Sequence, residues 1–144
     1  MVTISKILDT VFQLIFARFR RRYGDSQIEF AWRRASYRMA IYTSWTVCAL
    51  TSILVIGGYT FLKIGTAADH KKVVGIAAGV AVMITAIQLD RRFKKYLASP
   101  PPLSPKETPN EARYISYFCV VSVGVLLLVG LILYLLHKDG IVLS

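Results

Sequence analysis

Residues 114–136 read YISYFCVVSVGVLLLVGLILYLL, without one Asp, Glu, Lys or Arg. A helix over this stretch is apolar on every face, so it needs apolar surroundings all round. At 1.5 Å per residue, about 20 such residues cross a hydrocarbon core about 30 Å thick. Two further stretches have the same character. MAIYTSWTVCALTSILVIGGYTFL, residues 39–62, carries no charge, and neither does VVGIAAGVAVMITAIQL, residues 73–89, which is at the short end of the range. The charge collects between them, in 63–72 and 90–113. A chain of 144 residues is too short to wrap three all-apolar helices in protein, which leaves the bilayer.

Composition agrees. The chain is 55% apolar and only 18% charged, yet its net charge is +10, and its mean hydropathy is +0.51. Soluble domains hold about 25% charge. Apolar and basic together point to a membrane protein with its charges sorted to one side, and away from a nucleic-acid binder. The fold class expected is an all-α membrane protein: three transmembrane helices preceded by an N-terminal amphipathic interfacial helix.

Lys and Arg set the orientation. Lys6, Arg18, Arg20, Arg21, Arg22, Arg33, Arg34 and Arg38 precede the first span, and Arg91, Arg92, Lys94, Lys95, Lys106 and Arg113 lie between the second and third. With three spans these two segments share a side. Lys63, Lys71, Lys72 and Lys138 fall on the other. Fourteen against four places the N terminus in the cytoplasm and the C terminus outside, in a bacterial inner membrane or alternatively a mitochondrial one.

Helix punctuation divides the chain further. In residues 1–24, Ile4, Ile7, Leu8, Val11, Phe12, Ile15 and Phe19 recur at helical spacing, with Lys6, Asp9, Thr10, Gln13 and Arg20 opposite. Gly24 closes that helix. The apolar face has two possible homes, the acyl boundary of the inner leaflet or protein, either the chain's own helices or a partner. Residues 25–63 form a cytoplasmic extension plus the first span, opened by Ser26 and Glu29 as a capping box and ended at Ile64-Gly65. Residues 64–97 hold a tight outer turn capped near Thr66–Asp69, the second span and a basic extension. Residues 98–110 are a Pro-rich spacer, Ser99-Pro-Pro-Pro-Leu-Ser-Pro105, which lacks the N–H donors a helix needs. Residues 111–144 hold the third span and a short tail, and Thr108-Pro109-Asn110-Glu111 starts its helix with a cap, Pro at the first helical position and Glu at the third. Trp32, Tyr37, Phe93 and Tyr96, interleaved with the basic clusters, read as a headgroup-level aromatic belt.

The N terminus does not read as a signal peptide, because Asp9 and Gln13 interrupt the apolar run and the basic cluster follows it. Asp9 also argues against a mitochondrial presequence, which is acid-poor.

No span contains an ionisable Asp, Glu, Lys, Arg or His, the usual mark of ion-coupled transport. No Gly-rich phosphate loop, catalytic Ser motif or zinc-type Cys/His cluster is present. His70 and His137 both fall near the outer face and read as helix-end residues rather than a bis-His haem site. Cys48 and Cys119 read as small packing residues, not a disulfide or redox pair. The expectation is a protein that is not an enzyme and holds no cofactor or metal.

Small residues mark where helices meet in lipid. Gly75-Ile-Ala-Ala-Gly79 is a GxxxG, with Ala78 beside it. Gly57 and Gly58 leave room on the first span, whose Ser44, Cys48, Thr51 and Ser52 share a face. On the third span, Ser122 and Gly130 fall with Tyr134 at multiples of four. The second class of candidates is the basic surface facing anionic headgroups: Arg18, Arg20, Arg21, Arg22, Arg33, Arg34, Arg91, Arg92, Lys94 and Lys95. The partners expected are the bilayer with its anionic headgroups, and another membrane protein or a second copy of the chain. Function then narrows to helix-helix contact with a membrane partner, as an accessory or assembly subunit or an immunity-type protein. A self-assembling holin-like pore former is the alternative, and a haem or quinone membrane anchor a weaker one.

Overall fold

The computed structural model describes the backbone of residues 3–62 and 67–138, and the side chains of 3–58, 72–136 and 138. All regular structure among them is helical. The order is α1 (Ile4–Tyr23), α2 (Ile28–Leu62), α3 (Ala67–Ala98) and α4 (Pro109–Lys138), with one 3-10 turn over Asp25–Gln27. Three of these helices are long and apolar enough to cross a membrane. The expected terminator Ile64-Gly65, Thr66 and the side chains of the expected Thr66–Asp69 cap, the side chains of His70 and His137 and the tail beyond Lys138 lie outside the described residues.

The chain divides into two compact units. The first is Met1–Tyr42 with Ile87–Val120, the second Thr43–Ala86 with Val121–Ser144.

The first unit is built around α1. Most of a helix's stability in a protein comes from packing of its apolar face, and α1 has such a face over its 20 residues. Val11, Phe12, Ile15, Phe16 and Phe19 are all buried, and they cluster with Ala31, Trp32, Ala35 and Met39 of α2, Leu89 and Phe93 of α3 and Ile115 of α4. Ala31 and Ala35, one turn apart and fully buried, are small enough for the phenylalanines of α1 to approach the backbone of α2. Phe12 stacks on Phe93 with ring centroids 4.0 Å apart and planes 8° apart. Each such side chain contributes about 1.5–3 kcal/mol on burial. The apolar face of α1 is therefore taken up inside the protein, and of its two possible homes the acyl boundary is not the one found. Ile4, in the first turn, stays exposed.

This core includes residues that hydropathy alone had assigned to the spans. Met39, Leu89 and Ile115 are buried among the residues of α1, not turned to lipid. An apolar run reports that a side chain avoids water, and both a bilayer and a protein core satisfy that. Trp32 and Phe93 are corrected in the same way. Neither belongs to an exposed belt: Phe93 is fully buried, and the Trp32 indole N–H donates to the Phe93 carbonyl at 3.0 Å. Tyr37 alone of the two pairs is well exposed, while Tyr96 packs at the edge of the core.

The second unit has the opposite surface. Each of α2, α3 and α4 contributes about 20 residues to it, the length that crosses a bilayer. Leu50, Leu54, Ile76, Met83, Val121, Leu127, Leu131 and Tyr134 are exposed there, and Ala49, Ser122 and Val129 are buried. Water would not tolerate so continuous an apolar surface, and lipid requires it.

Gly24 ends α1 as expected, with φ +81° and its N–H on the Arg20 carbonyl at 2.8 Å. Thr108 and Glu111 form the expected reciprocal cap at the start of α4, each backbone N–H donating to the other's side chain at 3.3 Å. The Ser26–Glu29 box does not form. Asp25–Gln27 make a 3-10 turn instead, and Glu29 accepts from Arg33 one turn on, at 2.6 Å.

Candidate functional site

The basic residues expected on the membrane surface separate into two groups. Asp9 of α1 binds Arg92 of α3 through both carboxylate oxygens, at 2.9 and 2.7 Å, and Lys95 approaches the same carboxylate at 3.4 Å. One turn along each helix, Gln13 donates to the Tyr96 hydroxyl at 2.9 Å. The four-residue repeat of both helices puts these pairs in register. Hydrogen bonding from Arg92 lowers the Asp9 carboxyl below its ordinary 3.8, burial opposing it and the charges of Arg92 and Lys95 adding to it. Asp9 and Gln13 of the polar face of α1 thus form a seam with α3, while Lys6 and Thr10 stay exposed.

At the other end of α1 the arginines grip the Pro-rich segment. Arg20, itself buried, donates through Nη1 to the Pro101 carbonyl at 2.7 Å and pairs with Asp25 at 2.7 Å. Arg21 donates through Nε to the Ser104 carbonyl at 3.0 Å and through Nη2 to its hydroxyl at 2.7 Å. Its Nη1 meets the capping Glu111 at 3.1 Å. Arg18 donates through Nε to Glu107 at 2.9 Å. A run of prolines carries carbonyl acceptors without matching N–H donors, and guanidinium forks supply them. Arg18, Arg20, Arg21 and Arg92 are therefore committed to contacts within the protein, while Arg33 and Lys95 pair at its exposed surface. Arg22, Arg34, Arg91 and Lys94 hold no ion pair among the described residues. The sequence did contain a signal for this division: the acidic residues are few, and Asp9, Asp25, Glu107 and Glu111 all lie within segments that also hold arginines or their partners.

The packing candidates separate as well. Gly75 and Gly79 both face outward on α3, and a Cβ built on either meets no atom within 4 Å. Ile76, Val80, Met83 and Ile84 share that exposed side, whereas Ala77, Ala78 and Ala81 turn partly inward. Gly57 and Gly58 are likewise exposed with open space beside them. Ser44, Cys48, Thr51 and Ser52 do share a half-buried face. The Ser52 hydroxyl donates to the Cys48 carbonyl at 2.8 Å, and Thr85 to the Ala81 carbonyl at 2.8 Å, so neither hydroxyl is a free donor toward another helix. Ser122, Gly130 and Tyr134 do not form one stripe. Ser122 is buried, while Gly130 and Tyr134 are exposed. Each step of four turns about 400°, so two steps drift about 80° around the helix. Cys48 and Cys119 are both free thiols.

No protein-family model, curated protein or solved structure matches this chain.

Proposed function

We propose that the chain is a non-enzymatic integral membrane protein that works by helix-helix contact with a partner in the bilayer. The observation that carries this reading is the outer side of α3. Gly75 and Gly79 lie one turn apart on an exposed face, with open space where a side chain would stand. Glycine costs a helix about 1 kcal/mol relative to alanine, which close approach by a second helix would offset. Ile76, Val80 and Met83 around them supply the ridge that such a helix would pack on.

The charge distribution supports an N terminus in the cytoplasm, in a bacterial inner membrane or its mitochondrial counterpart. Membrane-impermeant thiol labelling of Lys106→Cys and Lys138→Cys, with Cys48 and Cys119 changed to Ser, tests the orientation. Labelling of the second position alone in intact cells is expected, and labelling of the first alone would reverse it.

The partner reading is tested by extracting the tagged chain from its native membrane in a lipid-preserving polymer, beside Gly79→Leu. A second membrane protein that co-purifies with the wild type and is lost from the inserted variant is the expected result. A ring of this chain alone would move the assignment to a self-assembling pore former. Equal recovery of the second protein with Gly79→Leu would remove α3 as the contact.

A further inference from the structure

Three of the arginines left over once the internal ion pairs are made line one hollow. Arg22 at the end of α1 and Arg34 and Arg38 of α2 line a recess of about 280 Å³, with Phe19, Tyr37 and Ile41 among its other walls. Aromatic faces hold the guanidiniums in place: Arg38 over Phe19 at 5.4 Å, Arg34 over Phe30 at 5.1 Å and Arg22 over Tyr23 at 5.8 Å. A ring face fixes a guanidinium's plane but leaves its N–H edge available, and it does not neutralise the charge. None of the three forms an ion pair among the described residues. Asp9, Asp25, Glu29, Glu107 and Glu111 each face another cation, and Asp90 of α3, the first unit's remaining carboxylate, is exposed and does not line the recess.

We infer that this hollow binds the phosphate of an anionic lipid headgroup. Three arginines lining one recess suit a tetrahedral anion, which guanidinium forks engage through paired N–H bonds. The lipid source follows from position. Arg38 is the last charged residue before the uncharged stretch 39–62, and Ile41, one turn on, also lines the recess. A site whose wall passes from arginine to isoleucine at the edge of a span matches a molecule that passes from phosphate to acyl chain. This inference rests on the membrane reading above but not on the α3 contact.

The test uses the full chain, prepared from washed membranes in a neutral detergent at fixed ionic strength. Binding of short-chain phosphatidylglycerol, short-chain phosphatidylcholine and inorganic phosphate is measured on the wild type, on Arg34→Gln/Arg38→Gln, and on Lys6→Gln/Lys106→Gln, which removes the same charge elsewhere. Phosphatidylglycerol is expected to bind in preference to the other two, and the arginine double variant to weaken it about tenfold or more. The lysine pair is expected to change it less than about twofold. Equal weakening by both pairs would reduce the effect to diffuse charge and overturn the site. Equal binding of phosphatidylcholine would do the same, and inorganic phosphate binding as tightly as the lipid would replace the headgroup with a free anion. Arg34→Lys/Arg38→Lys, which keeps the charge and removes the forks, guards against a folding artefact: affinity between that of wild type and the Gln pair is expected, and full wild-type affinity would refute the fork geometry. Absence of the chain from washed membranes would overturn the membrane reading itself.

Discussion

Phe12 shows how one side chain decides between two placements of a whole helix. Its ring is fully buried and stacked on Phe93, so truncation leaves a cavity as well as losing transfer energy. Phe12→Ala is expected to destabilise the protein by about 3–5 kcal/mol, read from reversible unfolding in mixed micelles. A loss under about 1 kcal/mol would mean that the ring lies against lipid or detergent, where truncation opens no internal void. Asp9 supplies a pH signature in the same unit. Its folded carboxyl is held below the ordinary 3.8 by Arg92, so the stabilisation it brings is present above that value. It is lost as the pH falls from there through the lowered one. The stability difference between wild type and Asp9→Asn, about 1 kcal/mol for a partly exposed pair, should hold constant near neutrality and shrink on acidification below about pH 4. A difference that grows on acidification would reverse the sign of the linkage.

At the scale of elements, the parts of the chain that could be read from sequence are those fixed by neighbours a few residues away. Gly24 ends α1 because a positive φ is cheap only there. Thr108 and Glu111 cap α4 because their spacing brings each side chain to the other's N–H. The Ser26–Glu29 pair has the same spacing and fails, because Asp25–Gln27 form a 3-10 turn that takes Ser26 inside it instead of leaving it at the cap position. What the sequence could not disclose are pairings across long separations. Asp9 meets Arg92, and Arg20 meets Pro101, only once α1 folds back along the extensions of the spans. The arginine grip on the Pro-rich segment has a direct test. Arg20→Met removes the buried donor from the Pro101 carbonyl and should speed protease cleavage within residues 99–108 severalfold, with helix content unchanged. Cleavage at the wild-type rate would show that Arg20 does not hold the segment.

Across the whole molecule, hydropathy located three helices long and apolar enough to cross a membrane, but not which of their apolar residues pack against protein. Met39, Leu89 and Ile115 fall within the apolar stretches and are buried in the core around α1, because an apolar side chain is equally at home in lipid or in protein. The small residues divide by the same logic: Ala78 turns partly inward, and Gly75 and Gly79 turn out. The claim on which the functional reading depends is that a partner helix covers that outer side of α3. A photo-crosslinking amino acid placed singly at each position from Gly75 to Ile84, in native membranes, tests it most directly. Adducts with one protein are predicted at 76, 80, 83 and 84, falling away at Ala77, Ala78 and Ala81. Crosslinks to lipid alone, or adducts spread evenly round the helix, would contradict a partner on this face.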